Sequence, residues 1–301
     1  QFFFKENIFG WPIQDSRISS LFKDELILGS YLSRLLPIYF GLLVYIKFGE
    51  NIFQYILFFL IFIGVETLIF LSGERVAFFY VNASTLLLLL TMNNFKFFRL
   101  STFVISIILI ITLVSFYPNA SDRIIKKTQE QLGFVKEDKK LPLTILGPKD
   151  KQKQKKYVFS IEHHNHYTSS IRMFKDNKVT GVGPRMFRFT CGEKKYNIWE
   201  GCSTHPHNTY VQLLAEMGLI GFVFGFLIFL FIFFNIFKHF IVKVAYKKII
   251  FNDFQLCLLS AILISIWPFV PTGGLFNNWL NIIYFFPVGF FLSTMYPDKN
   301  N

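Results

Sequence analysis

Two imidazoles, a carboxamide and a carboxylate stand together in His205-Pro206-His207-Asn208-Thr209-Tyr210-Val211-Gln212-Leu213-Leu214-Ala215-Glu216-Met217-Gly218-Leu219-Ile220-Gly221, directly ahead of a long apolar run. A histidine can take or give a proton near neutral pH, and the asparagine after it suits a helix N-cap. If a helix starts near Asn208, then Asn208, Gln212 and Glu216 line one polar stripe at i, i+4 and i+8. Val211, Leu214 and Ala215 form the apolar face beside it. His207 then sits at the helix N-terminus, where free N–H groups and the helix dipole favour an anion. Nine residues separate His207 from Glu216, half a revolution out of phase, so the two do not form an acid–base dyad. Such a segment suits a membrane interface and turns into the bilayer at Gly218.

The rest of the chain decides which side of a membrane this stretch occupies. With 301 residues, 41 phenylalanines and a positive mean hydropathy, the composition is that of an integral membrane protein. Apolar runs at 25–46, 52–71, 76–92, 100–117, 219–237, 254–270 and 276–293 predict about seven transmembrane helices. The fold class expected is therefore an all-α polytopic membrane protein with one large periplasmic loop. Lys47, Lys96, Arg99, Lys238, Lys243, Lys247, Lys248 and Lys299 fall in alternate short loops, and the positive-inside rule makes that side cytoplasmic. The sequence divides into four N-terminal spans (1–117), a periplasmic loop (118–206) and an interfacial helix with three spans (207–301). The chain opens at Gln1 in what reads as a loop, as expected of a fragment whose earlier spans lie upstream. The net charge of +12 fits this topology and anionic lipid substrates, and no nucleic acid partner is expected.

The outward face then collects Arg17, Arg75, Arg185, Arg188, His205, His207 and Asn208 from four places in the chain. Arginines converging near histidine suggest a phosphate-bearing substrate held beside a general base. Arg34 and Glu66 lie inside spans, about two turns and a little over one turn below the outer surface. Both a substrate pocket and an ion pair between neighbouring helices would explain charges so costly to bury. The run 149–156 reads as a solvated linker. His163, His164 and His166, in the same long loop, make a weak case for a metal, and none is expected. Cys191 and Cys202 can pair if the loop faces an oxidising compartment. No Gly-rich phosphate loop, zinc-protease motif or compact aspartate pair is present, so neither nucleotide nor metal cofactor is expected.

The stretch from His205 to Gly221 resembles the signature of the bacterial O-antigen ligases and O-antigen polymerases: a His-Asn pair, then a helix with Glu and Gly, after a large periplasmic loop. Gly181-Val-Gly183-Pro-Arg185 is similar to the family's Gly-x-Gly element. Arg17-Ile-Ser-Ser20-Leu-Phe22 is similar to its Arg-x-x-Gly-x-Phe element, with Ser20 in place of glycine. Ser72-Gly-Glu74-Arg75 occupies the place of a Ser-Arg-Gly element. The resemblance implies a metal-independent, inverting glycosyltransferase of the inner membrane acting on undecaprenyl diphosphate-linked glycans. It implies His207 as base, Arg17, Arg75 and Arg185 on the diphosphate, and Asn208, Gln212, Glu216, Arg34 and Glu66 in support. The expected acceptor is the lipid A core, as for a ligase. A second lipid-linked repeat unit, as for a polymerase, and a protein acceptor stay open. Outside the enzymes, a polysaccharide transporter or flippase would spread ionisable residues through the bilayer depth, against the clustering seen here.

Overall fold

The computed structural model describes residues 4–13, 17–23, 25–48, 51–132, 160–199 and 201–295; the basic run 149–156 and Lys299 lie outside them. These residues form α1 (Leu28–Tyr45), α2 (Ile52–Leu71), α3 (Arg75–Thr91), α4 (Lys96–Phe116), α5 (Lys127–Leu132), α6 (Ile161–Asp176), α7 (Phe187–Thr190), α8 (Thr209–Tyr246), α9 (Asp253–Ser265) and α10 (Asn278–Met295). Among them β structure goes no further than isolated bridges, as between Glu6 and Pro12. Helices α1, α2, α4 and α8 are long and apolar enough to cross a bilayer, while α3, α9 and Leu280–Met295 of α10 are apolar and shorter. The chain is an all-α polytopic membrane protein. Packing divides it into two compact units, one of residues 1–124, 229–267 and 281–301, the other of 125–228 and 268–280.

Three boundaries differ from the apolar runs. The run expected to stay helical to 270 stops at Ser265, since Pro268 disfavours helical geometry in the residue before it. Helix α8 continues to Tyr246, so Lys238 and Lys243 are helical rather than loop residues. Lys243 instead donates from Nζ to the carbonyl oxygens of Thr91, at 2.6 Å, and Met92, at the end of α3. Arg99, also expected in a loop, lies in the first turn of α4 and is buried.

In the first unit, α1 packs against α9 at Gly41, where a Cβ would come within 2.9 Å of Cys257 Cβ. Ile38 of α1 joins Phe254, Leu258 and Ala261 of α9 in the core beside it. The ion pair expected of Glu66 forms with Arg99 rather than with Arg34. Arg99 also donates to Thr85 Oγ1 and, at 3.2 Å, to Thr102 Oγ1, and Ser106 Oγ donates to Glu66 Oε2 at 2.5 Å. Hydroxyls from α3 and α4 thus complete the shell that a buried charge pair requires. Helix α1 has no local side-chain cap at Ile27. Glu74, in the α2–α3 turn, serves instead, accepting from Gly29 N at 2.6 Å and Ser30 N at 3.0 Å. Its removal from water raises the Glu74 pKa from the carboxylate range to about 7, against the opposing pull of Arg17.

In the second unit the dominant feature is a break in α8. Gly218 takes φ 63° and ψ −157°, so residues 209–217 and 219–246 are separate helical segments. Tyr210 meets Phe222 and Phe226 edge-on across the break. In an unbroken helix Leu219 N would bond Ala215 O, and Ile220 N would bond Glu216 O. Here Val182 N and Gly183 N donate to Ala215 O and Glu216 O at 3.0 and 2.9 Å. Leu219 N and Ile220 N donate to Lys178 O and Val179 O at 2.8 and 3.4 Å. Loop 178–183 therefore supplies both halves of the two bonds the break removes. A Cβ on Gly181 would collide with the Glu216 backbone, and one on Gly218 with Val179.

Breaking the buried pair from one side should be costly. Glu66→Leu or Arg99→Met alone is expected to lower stability by about 3–5 kcal/mol, whereas the double replacement should recover most of it. Thermal unfolding of the four proteins in detergent checks this.

Candidate active site

Asn208 caps the 209–217 segment, its Oδ1 accepting from Tyr210 N and Val211 N at 3.0 Å each. Its Nδ2 donates to Pro268 O at 2.9 Å and Val270 O at 3.1 Å, so one side chain starts the helix and holds the 268–275 stretch. One turn on, Gln212 Oε1 accepts from Leu275 N at 2.9 Å, and Gln212 Nε2 donates to Glu216 Oε2 at 3.0 Å. Glu216 Oε1 accepts from Phe187 N at the start of α7, at 2.8 Å. The stripe at i, i+4 and i+8 is real, but it faces inward: Asn208, Gln212 and Glu216 are buried, while Val211 and Leu214 are only half-buried. Backbone groups of two loops satisfy the stripe, which removes the usual penalty for burying it.

His207 precedes this cap with φ 57°, in the left-handed region. Its carbonyl accepts from Thr272 N at 2.9 Å, and Thr209 N donates to Thr272 Oγ1 at 2.9 Å. A non-glycine residue held there by bonds on either side is a feature to expect of a functional position. Arg185 also has a positive φ, 62°, after Gly181 and Gly183, and its side chain is exposed.

Around His207 the structure gathers three further imidazoles. Ring centroids lie 4.1 Å away for His205, 5.3 Å for His166 and 5.4 Å for His163. His163 and His166, expected in a flexible loop, project from one face of α6, whose N-cap Ser160 bonds His163. The separation of three residues was the sign that could have paired them. Their helix is held to its neighbours by Ser169 Oγ on Tyr196 O at 3.0 Å and by Tyr196 OH on Asp176 at 2.9 Å. The Cys191–Cys202 disulfide closes the loop beside them, and Met173, Phe187, Cys191, Tyr196 and Ala215 form the core beneath. Two ring nitrogens of the cluster, His166 Nδ1 and His205 Nε2, are buried without a hydrogen-bond partner. Among the described residues no group of three or more His, Cys, Asp or Glu side chains has the geometry to hold a metal ion.

Loss of water lowers the His207 pKa from 6.5 to about 3, helped by the neighbouring imidazoles. The same cause brings His205 to about 4, opposed by the backbone of Thr272 and reinforced by His166 and Arg188. Both rings are neutral at physiological pH, the form able to accept a proton.

Arg188 lies exposed on α7 in the second unit, whereas Arg17, Arg75 and both intramembrane charges belong to the first. Arg17 is half-buried, with Nη2 on the Leu26 carbonyl, and its charge acts on Glu74. Ser20 adopts φ 52°, the conformation for which glycine is usually chosen at such a position. Arg75 is the first residue of α3 and feels the charge of Arg123. Arg34 forms no ion pair with a carboxylate among the described residues; its Cζ lies over the rings of Tyr80 and Tyr284. Glu66 is committed to Arg99.

A polytopic helical membrane protein that presents a neutral, hydrogen-bond-anchored histidine after a folded polar loop is one class of architecture. Within it, a family model described as O-antigen ligase matches residues 56–226, more than half of the chain. The chain belongs to that enzyme family, and the match contains Arg75, Arg185, His207 and Glu216. No curated protein and no solved structure matches it.

Because the folded protein resists protonating His205 and His207 while the unfolded chain accepts protons near 6.5, acid favours unfolding. Stability should fall as pH drops from about 6.5 toward 4 and then 3. A His205→Gln/His207→Gln double variant should flatten that slope in thermal unfolding measured between pH 7 and 5.

Proposed function

We propose that the protein transfers a glycan from undecaprenyl diphosphate to an acceptor sugar hydroxyl at the periplasmic face of the bacterial inner membrane. It does so as an O-antigen ligase whose acceptor is the lipid A core. The observation that carries this reading is His207 itself: neutral, anchored through its own backbone, ringed by imidazoles and inside the segment matched to the family. The acceptor oxygen attacks the anomeric carbon from the face opposite the diphosphate, so the configuration inverts. His207 takes the hydroxyl proton, and the bond from that carbon to the diphosphate oxygen breaks with its electron pair leaving on the diphosphate.

Arg17, Arg75 and Arg185 neutralise the departing anion. The same anion offsets the desolvation that keeps His207 from holding a proton, so the base strengthens as the substrate is bound. Asn208, Gln212 and Glu216 serve this chemistry indirectly, by fixing the helix start and its flanking loops. This reading needs neither a nucleotide nor a metal ion.

In reconstituted membranes supplied with lipid-linked glycan, His207→Ala should lower transfer by about 10²-fold or more; normal transfer would remove His207 as the base. Lysine at position 17, 75 or 185 keeps the charge but loses two-point contact with an oxyanion. At least one of these replacements should slow turnover, and unchanged rates in all three would remove the diphosphate clamp. A lipopolysaccharide gel from a deletion strain separates the acceptors. Bare core with accumulated lipid-linked polymer marks a ligase, and core capped by a single repeat marks a polymerase.

A further inference from the structure

Arg34 lies six residues into α1 from Leu28, about 9 Å along the helix, and is 2% exposed. Its Cζ lies over the rings of Tyr80 of α3 and Tyr284 of α10, 4.6 Å from each centroid. Nη1 is spent on Ser30, donating to its carbonyl at 2.9 Å and to Oγ at 2.6 Å. The edge carrying Nε is not: Nε is buried and has no hydrogen-bond partner. The hydroxyls of both flanking tyrosines, which are 0% and 2% exposed, are buried and unpartnered as well. Glu74, the nearby carboxylate, is turned to the N–H groups of Gly29 and Ser30.

Arg34 Nε and the hydroxyls of the two tyrosines are thus three polar atoms left unpaired around one buried cation. Each such group ordinarily destabilises a protein, and in a membrane span no bulk water relieves it. Arginine grips oxyanions in its own plane, at two points, and the edge carrying Nε is the one left unspent. The unpartnered hydroxyls of the two tyrosines supply O–H donors for the further oxygens of a tetrahedral anion.

We propose that Arg34, Tyr80 and Tyr284 form a binding site for a phosphate-type oxyanion within the membrane domain. The site is defined by binding alone and does not depend on the glycosyl-transfer reading. Phosphate chemistry reaches a membrane protein from a lipid headgroup or from solution, and one experiment separates the two. The full chain, purified in a phosphate-free maltoside detergent, is titrated with phosphatidylglycerol, with diacylglycerol of the same acyl chains, and with inorganic pyrophosphate, and thermal unfolding is followed.

Phosphatidylglycerol should raise the unfolding temperature where diacylglycerol does not. Arg34→Lys and Tyr284→Phe should each raise its half-saturating concentration about tenfold or more. Protection by pyrophosphate alone, lost in the same variants, would assign the site to a soluble anion. Without any ligand, Tyr284→Phe should be as stable as the parent or more so, because it deletes an unpaired buried hydroxyl and keeps the ring. The proposal is overturned if no phosphate species protects beyond diacylglycerol, if protection is unchanged in both Tyr284→Phe and Tyr80→Phe, or if Tyr284→Phe destabilises the ligand-free protein.

Discussion

A helix cannot stop hydrogen bonding in the middle without something taking over, and the break at Gly218 is possible because loop 178–183 does so bond for bond. Two carbonyls and two N–H groups that would have faced one another along α8 face that loop instead. The exchange keeps the backbone satisfied while the chain changes direction. It also ties the 209–217 segment to loop 178–183, and with it the cap at Asn208 and the position of His207 ahead of the cap. The Gly-x-Gly element and the histidine motif are two sides of one joint: glycine at 181 and at 218 lets two backbones approach more closely than any side chain would permit.

Polar groups in the interior are handled in two ways. Around Glu66 and Arg99, hydroxyls and a carboxylate close the shell, and the cluster is a structural rivet between α2, α3 and α4. Around His207 the scaffold residues are fully bonded, yet the imidazoles they carry retain unpaired nitrogens. Satisfied supports beneath unsatisfied working groups are the arrangement expected of a site built to receive something.

Much of this was legible in the residues. The apolar runs marked the helices because only long apolar segments survive in lipid, and the spacing of Asn208, Gln212 and Glu216 marked one helical face. Which way that face points was not legible, because its partners are backbone groups of loops that have no periodic pattern. Nor was the partner of Glu66: an ion pair between helices depends on their relative register, which composition does not encode, and Arg99 looked like a loop residue because positive charge at a helix start resembles positive charge in a connection. The grouping of His163 and His166 with His207 depended on recognising α6 in a polar loop, where a helix too polar on average to stand out as an apolar run is easily passed over.

Glu74 caps a helix by accepting from an amide 45 residues before it. Helix α1 therefore leaves the ribosome with its first amides unserved, and they remain so until α2 has crossed and the turn into α3 has been made. The final seating of α1 accordingly waits on a carboxylate that has yet to be synthesised when the helix itself is complete.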